Sequence, residues 1–275
     1  MIQEFLRYAA FEKHLGAMTI AEYRKDARQF VEYATLAQLR WGSMTTNDLA
    51  TWVQSMAEAQ LEPTTIRRRI ATVRGIFSFM QKRGMRADNP AALLDLPKLP
   101  SKLANTSTAR QYRAYLDLAI TTWRSKAIHA YIAIALETGM RISEILSMQT
   151  TWIDKQTHSI KVTGKGNKQR TVYYGELTQK YLNNYMGIRR AGTVFAGITD
   201  LEIREMLRLE LHGIVENAHP HQIRHTFATE ALQNGMDIYT LKNLLGHESV
   251  MTTERYLKGA MRDTRKAAQR YLDRL

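Results

Sequence analysis

Across residues 63–84 apolar side chains recur at Ile66, Ile70, Val73, Phe77 and Met80, a helical interval. Pro63 suits the first turn of that helix and Gly84 its stop. Upstream, Thr19 is a candidate N-cap for IAEYRKDARQFVEYA, and Thr45 or Thr46 for a helix through NDLATWVQSMAEA. The first 86 residues therefore read as helices only. RADNPAALLDLPKLPSKLANTSTA follows, with three of the five prolines and a run of small polar residues, and reads as a linker over 87–107.

Beyond it, RQYRAYLDLAITTW and AIHAYIAIALETG are helical, and the second is so uniformly apolar that it is expected inside the core. The period then changes. TWID, HSIKVTG and QRTVYY are short, β-rich and separated by polar turns, which predicts a small three-stranded antiparallel sheet. Helical pattern resumes through ELTQKYLNNYMGIRR, DLEIREMLRLELHGIVENA, HQIRHTFATEALQNG and DIYTLKNLLGH, and closes on AMRDTRKAAQRYLDRL. The fold class expected is mainly α: a helical domain at 1–86, a linker at 87–107 and a mostly helical domain at 108–275 that carries the sheet.

Composition narrows the function. With no cysteine there is no disulfide framework, thiolate metal site or cysteine nucleophile, and a reducing intracellular setting fits best. The charged opening MIQEFLRYAAFEKHLG is not a secretory signal, and no apolar run approaches the ~18 residues of a membrane span. A soluble, cytoplasmic protein is expected, and its charge makes it a DNA-associated one. Lys and Arg total 39 against 26 acids, a net +13, and such an excess favours a polyanionic partner. Residues 1–86 hold 13 basic and 8 acidic residues and the remainder 26 and 18, so both domains are basic, as two halves gripping one polyanion would be.

The candidate chemistry centres on HPHQIRHTFATE at 219–230. His221 and His225 are helical neighbours, but a zinc-hydrolase motif needs glutamate where Gln222 stands, and Met251 occupies the second histidine position after His247-Glu248. No metal is expected. KVTGKGNKQR lacks the spacing of a phosphate-binding glycine loop. A phosphodiester reaction suits the remaining groups: arginines for the non-bridging oxygens of the transition state, imidazole to take a tyrosine proton, lysine to protonate a leaving oxygen.

ETGMRISEIL, GKGNKQR, HPHQIRHTFAT, LLGHES and TTERYL, in that order, resemble the tyrosine recombinase (phage integrase) family, most closely its Xer-type and integron-integrase-like members. The resemblance implies an N-terminal SAM-like core-binding domain and site-specific strand exchange through a 3′-phosphotyrosine bond, with no cofactor. It implies that Arg141 and Arg224 clamp the phosphate, Lys165 is the general acid, His221 transfers a proton, His247 is a second phosphate donor and Tyr256 is the nucleophile. Glu144 is read as orienting Arg141, and His219 and His225 as structural. Arg67 and Arg74, on one stripe of the 63–82 helix, and Lys168 and Arg170, on the hairpin, are candidate DNA contacts. The implied partners are double-stranded recombination sites and further copies, in a tetramer formed alone or with a second recombinase, with the helix at 260–275 docking on a neighbour. The rival readings are a DNA-binding repressor or architectural protein, and a relaxing enzyme that works on single sites.

Overall fold

Two compact units divide the chain, Met1–Leu103 and Ala104–Leu275. The computed structural model describes residues 1–98, 109–164, 168–187, 191–247 and 249–260, without the side chains of 255 and 257–260. Lys165 and the tail at 261–275 lie outside the described residues.

The first unit is built from α1 (Ile2–Arg7), continued by a π-helical turn at Tyr8–Glu12, then α2 (Ala17–Leu36), α3 (Thr46–Glu58) and α4 (Pro63–Lys82). α3 opens on a capping box between Thr45 and Asp48, and α4 on Pro63 in its first turn. α2 starts earlier than Thr19: Gly16 takes the extended N-cap conformation, which leaves Thr19 exposed in the first turn. The five periodic side chains of α4 are buried against α2 and α3, and Phe30 meets Trp41 and Trp52 edge-on at 5.2 and 4.8 Å. Asp26, fully buried on α2, takes Arg68 at 2.5 Å and the Thr72 hydroxyl at 2.9 Å, so the charge inside this core is paired and hydrogen-bonded.

Residues 87–98 differ from a free linker, because Ala91 and Leu94 belong to the first unit's core. An irregular segment packed this way has carbonyls with no ladder partner, and arginine supplies the donors. Arg74 donates to the carbonyls of Ala91 (2.8 Å) and Leu94, and Arg67 to that of Pro97 (3.0 Å). The two arginines expected on a DNA-facing stripe therefore act first as struts for the segment after α4.

In the second unit, α5 (Ala109–Leu116) precedes α6 (Trp123–Thr138), which runs through the core with Ala127–Ala135 buried on every side. Thr122 and Ser125 form its capping box. Gly139 ends it at φ +62°, and a Cβ there would run into the Phe227 ring and come within 2.9 Å of Leu245 Cδ2. The short α7 (Ile142–Leu146) follows at once. The sheet is antiparallel in the order β1 (Ile153–Asp154), β2 (Ser159–Thr163) and β3 (Gln169–Tyr173), with Ile160 paired to Val172 and both buried. α8 (Glu176–Met186) and α9 (Asp200–Glu210) pack on α6. α10 (Pro220–Gln233), α11 (Ile238–Leu245) and α12 (Val250–Ala260) complete the unit, joined by a cluster of Ala228, Leu241, Leu245 and Tyr256.

One carboxylate ties the sheet to this helical body. Glu144 on α7, 5% exposed, accepts Arg170 of β3 on both oxygens (2.9 and 2.8 Å), the Arg141 amide at 2.7 Å and the Arg141 guanidinium at 3.0 Å. Burial pushes its pKa up, but the Arg170 hydrogen bonds, the Arg141 amide and the two positive charges outweigh burial and hold it below the ordinary 4.5. A carboxyl with a depressed folded-state pKa contributes stability that is complete above its unfolded value and lost as pH falls through the folded one. Urea unfolding from pH 7 downward is therefore expected to show wild-type stability falling more steeply than that of Glu144→Gln below about pH 4.5, the two curves running parallel above it; parallel curves throughout would contradict the assignment. Gly139→Ala should lower hydrogen-exchange protection of α6 by about 1–3 kcal/mol more than Gly197→Ala, which shares a positive φ (+78°) but faces open space.

Candidate active site

The C-terminus of α11 organises the site. The last carbonyls of a helix have no intrahelical partner and sit at the negative end of its dipole, and here three successive ones each take an arginine. Leu244 O accepts from Arg170 Nε at 2.7 Å, Leu245 O from Arg224 Nη2 at 2.8 Å, and Gly246 O from Arg141 Nη2 at 3.1 Å. Gly246, at φ +63°, turns the chain so that these carbonyls fan outward. Arginines distant in sequence thus converge on three consecutive residues.

Arg141 is the N-cap residue of α7, placed there by the Gly139 turn, and its side chain is 39% exposed. Arg224 is its buried counterpart at 3% exposure, with Nη1 on Gly139 O at 2.8 Å. Burial, then the neighbouring Arg141 charge, push its pKa down to about 10 against the opposing pull of Glu144 and Tyr256, so it stays charged at neutral pH.

Arg224 Nη2 also lies 2.9 Å from His247 Nε2. A guanidinium only donates, so Nε2 is the acceptor and the ring proton sits on Nδ1, 2.8 Å from Thr253 Oγ1. This tautomer differs from the phosphate-donor role expected of His247: donation from Nε2 needs Arg224 to release it and a proton to move there. Tyr256, on α12 and 1% exposed, stacks on His247 with ring centroids 6.2 Å apart and planes 13° from parallel. His225 meets the same ring with centroids 5.0 Å apart and planes tilted by 44°.

A cleft of about 650 Å³ opens beside this cluster, and Arg141, Lys168, Arg170, Lys242 and His247 are among its lining residues. Lys168 is exposed on it. Arg170 is not the free DNA contact expected of it, because its side chain is 12% exposed and its three nitrogens are bound to Glu144 and Leu244. His221 lies exposed in the first turn of α10, one turn before Arg224. Tyr256 does not line the cleft; it is packed behind His247. One residue at the site escaped sequence reasoning: Lys242 reaches the cleft from a helix whose pattern marks only its buried face, whereas His225, read as structural, meets Tyr256 because α10 packs on α12. Among the described residues no group of three or more His, Asp or Glu side chains is placed to hold a metal, and no helix is long and apolar enough to cross a membrane.

Comparison with known proteins accounts for both units. The profile of the phage integrase family matches residues 105–262, and that of the phage integrase N-terminal SAM-like domain matches residues 2–84. The tyrosine recombinase XerC of Herpetosiphon aurantiacus is 30% identical, covering 93% of this chain and 89% of its own. XerC of Pseudomonas aeruginosa is 28% identical (93% and 88%), and XerD of Proteus mirabilis 27% (93% and 87%). In fold, the chain is similar to the Tn1549 transposon integrase in complex with circular intermediate DNA (TM-score 0.79, 18% identity, 98% of each chain). It is likewise similar to the XerH recombinase bound to its palindromic difH substrate (TM-score 0.74, 18% identity, 97% of this chain and 83% of that one). With both domains matched in order and Tyr256, His247, Arg224 and Arg141 joined in one cluster, the chain belongs to the phage integrase family, the tyrosine recombinases that break and rejoin DNA in site-specific strand exchange.

Proposed function

We propose that Tyr256 is the nucleophile of this exchange and that the cleft receives the scissile phosphate. The observation that carries the reading is the continuous chain from Tyr256 through His247 and Arg224 to the carbonyls that also hold Arg141. The Tyr256 phenolic oxygen attacks phosphorus, a 3′-phosphotyrosine bond forms, and the bond to the 5′-oxygen breaks. The phenolic proton leaves through imidazole, for which His221 is the candidate, and the 5′-oxygen takes a proton from Lys165. A 5′-hydroxyl from the partner duplex then attacks the phosphotyrosine and reverses each transfer. The phosphodiester energy is kept in the protein–DNA bond, so the step needs no nucleotide.

Arg141 and Arg224 meet the charge that develops on the non-bridging oxygens. Both are already oriented by main-chain carbonyls, and a preorganised donor of this kind is worth about 3–4 kcal/mol of barrier. Tyr256 starts from behind His247, so cleavage requires α12 to move toward the cleft. Assembly of four copies on two duplex sites, alone or with a second recombinase, supplies an occasion for that movement if the segment at 260–275 docks on a neighbour. The substrate is double-stranded DNA carrying inverted repeats, and the reaction takes place wherever that DNA lies.

Tyr256→Phe removes only the attacking oxygen. On a nicked duplex carrying a site that wild type cleaves, it is expected to bind as wild type does and form no covalent adduct; an adduct mapping to Tyr271 or Tyr239 would sink the assignment. Lys165→Ala should cleave poorly on normal DNA and regain wild-type cleavage when the bridging 5′-oxygen is replaced by sulfur, because a thiolate leaves without a proton. Rescue of Lys168→Ala instead, with none for Lys165→Ala, would move the general acid along the hairpin.

A further inference from the structure

The cations around the cleft are not equivalent. Arg170 is bound on all three nitrogens to Glu144 and Leu244, and Arg224 to Gly139, Leu245 and His247. Arg141 shares the Glu144 carboxylate with Arg170. Two lysines, Lys168 and Lys242, line the cleft and form no ion pair with any described residue, and of these Lys242 is half-buried and carried on a helix, α11. Asn243, Ser249 and Thr252 lie along the same cleft and bring uncharged hydrogen-bonding groups beside it.

A duplex entering this cleft cannot present one phosphate alone, since phosphates recur about every 3.4 Å of axial rise along each strand. The two arginines proposed for the scissile phosphate leave its neighbours to other groups. An ammonium on a flexible stem suits such a neighbour, as a point charge that needs no fixed geometry and carries no base preference. We propose that Lys242 is a DNA-positioning residue whose ammonium contacts a phosphate flanking the scissile one, fixing the strand along α11 rather than taking part in bond breakage. This rests on the reading of the cleft as the DNA site. The competing explanation is that Lys242, in the last turn of α11, serves only to complement the helix dipole.

Salt dependence separates the two. Binding of the full chain to a short duplex of arbitrary sequence would be measured between about 50 and 200 mM salt, with thermal melting alongside. Loss of one phosphate contact lowers the slope of log K against log salt by about 0.9, so the affinity advantage of wild type over Lys242→Gln should shrink about three- to fourfold across that range. Lys242→Arg, which keeps the charge, should restore the slope. Lys180→Gln, an exposed lysine on α8 seated over the Tyr181 ring, should leave it unaltered. An unchanged slope for Lys242→Gln together with a lower melting temperature would assign the residue to the helix end and overturn the inference. An equal change in Lys180→Gln would do the same by showing only general charge. Wild type that binds duplex DNA without salt dependence would sink the DNA reading of the cleft itself, a failure distinct from either.

Discussion

Guanidinium repulsion is the constraint around which the second unit is arranged. Arg141, Arg170 and Arg224 are gathered at the end of one helix, and bringing like charges into a low-dielectric interior is unfavourable unless each gains compensating partners. One carboxylate and three consecutive carbonyls provide them. The Gly139 turn delivers Arg141 and offers its own carbonyl to Arg224; β3 delivers Arg170; α10 delivers Arg224. Removing Glu144 would leave the cluster with no negative charge, which is why a residue read from sequence as a helper of Arg141 is the strut on which the sheet hangs.

That arrangement separates holding from acting. Arg170 is the structural member, buried and fully engaged. Arg224 is charged but pushed down to about 10 by burial and by Arg141, and its hydrogen bonds fix its plane before substrate arrives. Arg141 alone of the three projects substantially into solvent. His247 accepts from Arg224, and Tyr256 is stacked behind it. The guanidiniums are thus fixed by the protein's own acceptors, with Arg141 open to the solvent and Tyr256 packed behind His247.

Much of this was legible in sequence where side chains answer side chains. The buried α6, the three-stranded sheet, the Pro63 start and Thr45 cap follow from periodicity and turn chemistry, and the motifs named Arg141, Arg224, His247 and Tyr256, which the fold brings into one cluster. What was not legible has a common cause. Arg67, Arg74 and Arg170 read as candidate DNA contacts, yet Arg67 and Arg74 are bound to main-chain carbonyls and Arg170 to one carbonyl and to Glu144, and a carbonyl leaves no mark on residue identity. The same blindness made 87–98 read as free linker, since its anchors are backbone atoms contacted from α4. His225 was read as structural, and its place against Tyr256 depends on how two helices cross, which no single segment encodes.

The use of main-chain acceptors at α11 has an evolutionary consequence. Carbonyls persist through almost any substitution, so the outward-facing positions between Ile238 and Leu245 can change identity without removing the acceptors that hold Arg141, Arg170 and Arg224, provided the buried Leu241 and Leu245 are kept and the helix still ends at a glycine turn. The exposed face of α11 is therefore free to diverge while the arginine cluster at its end is retained.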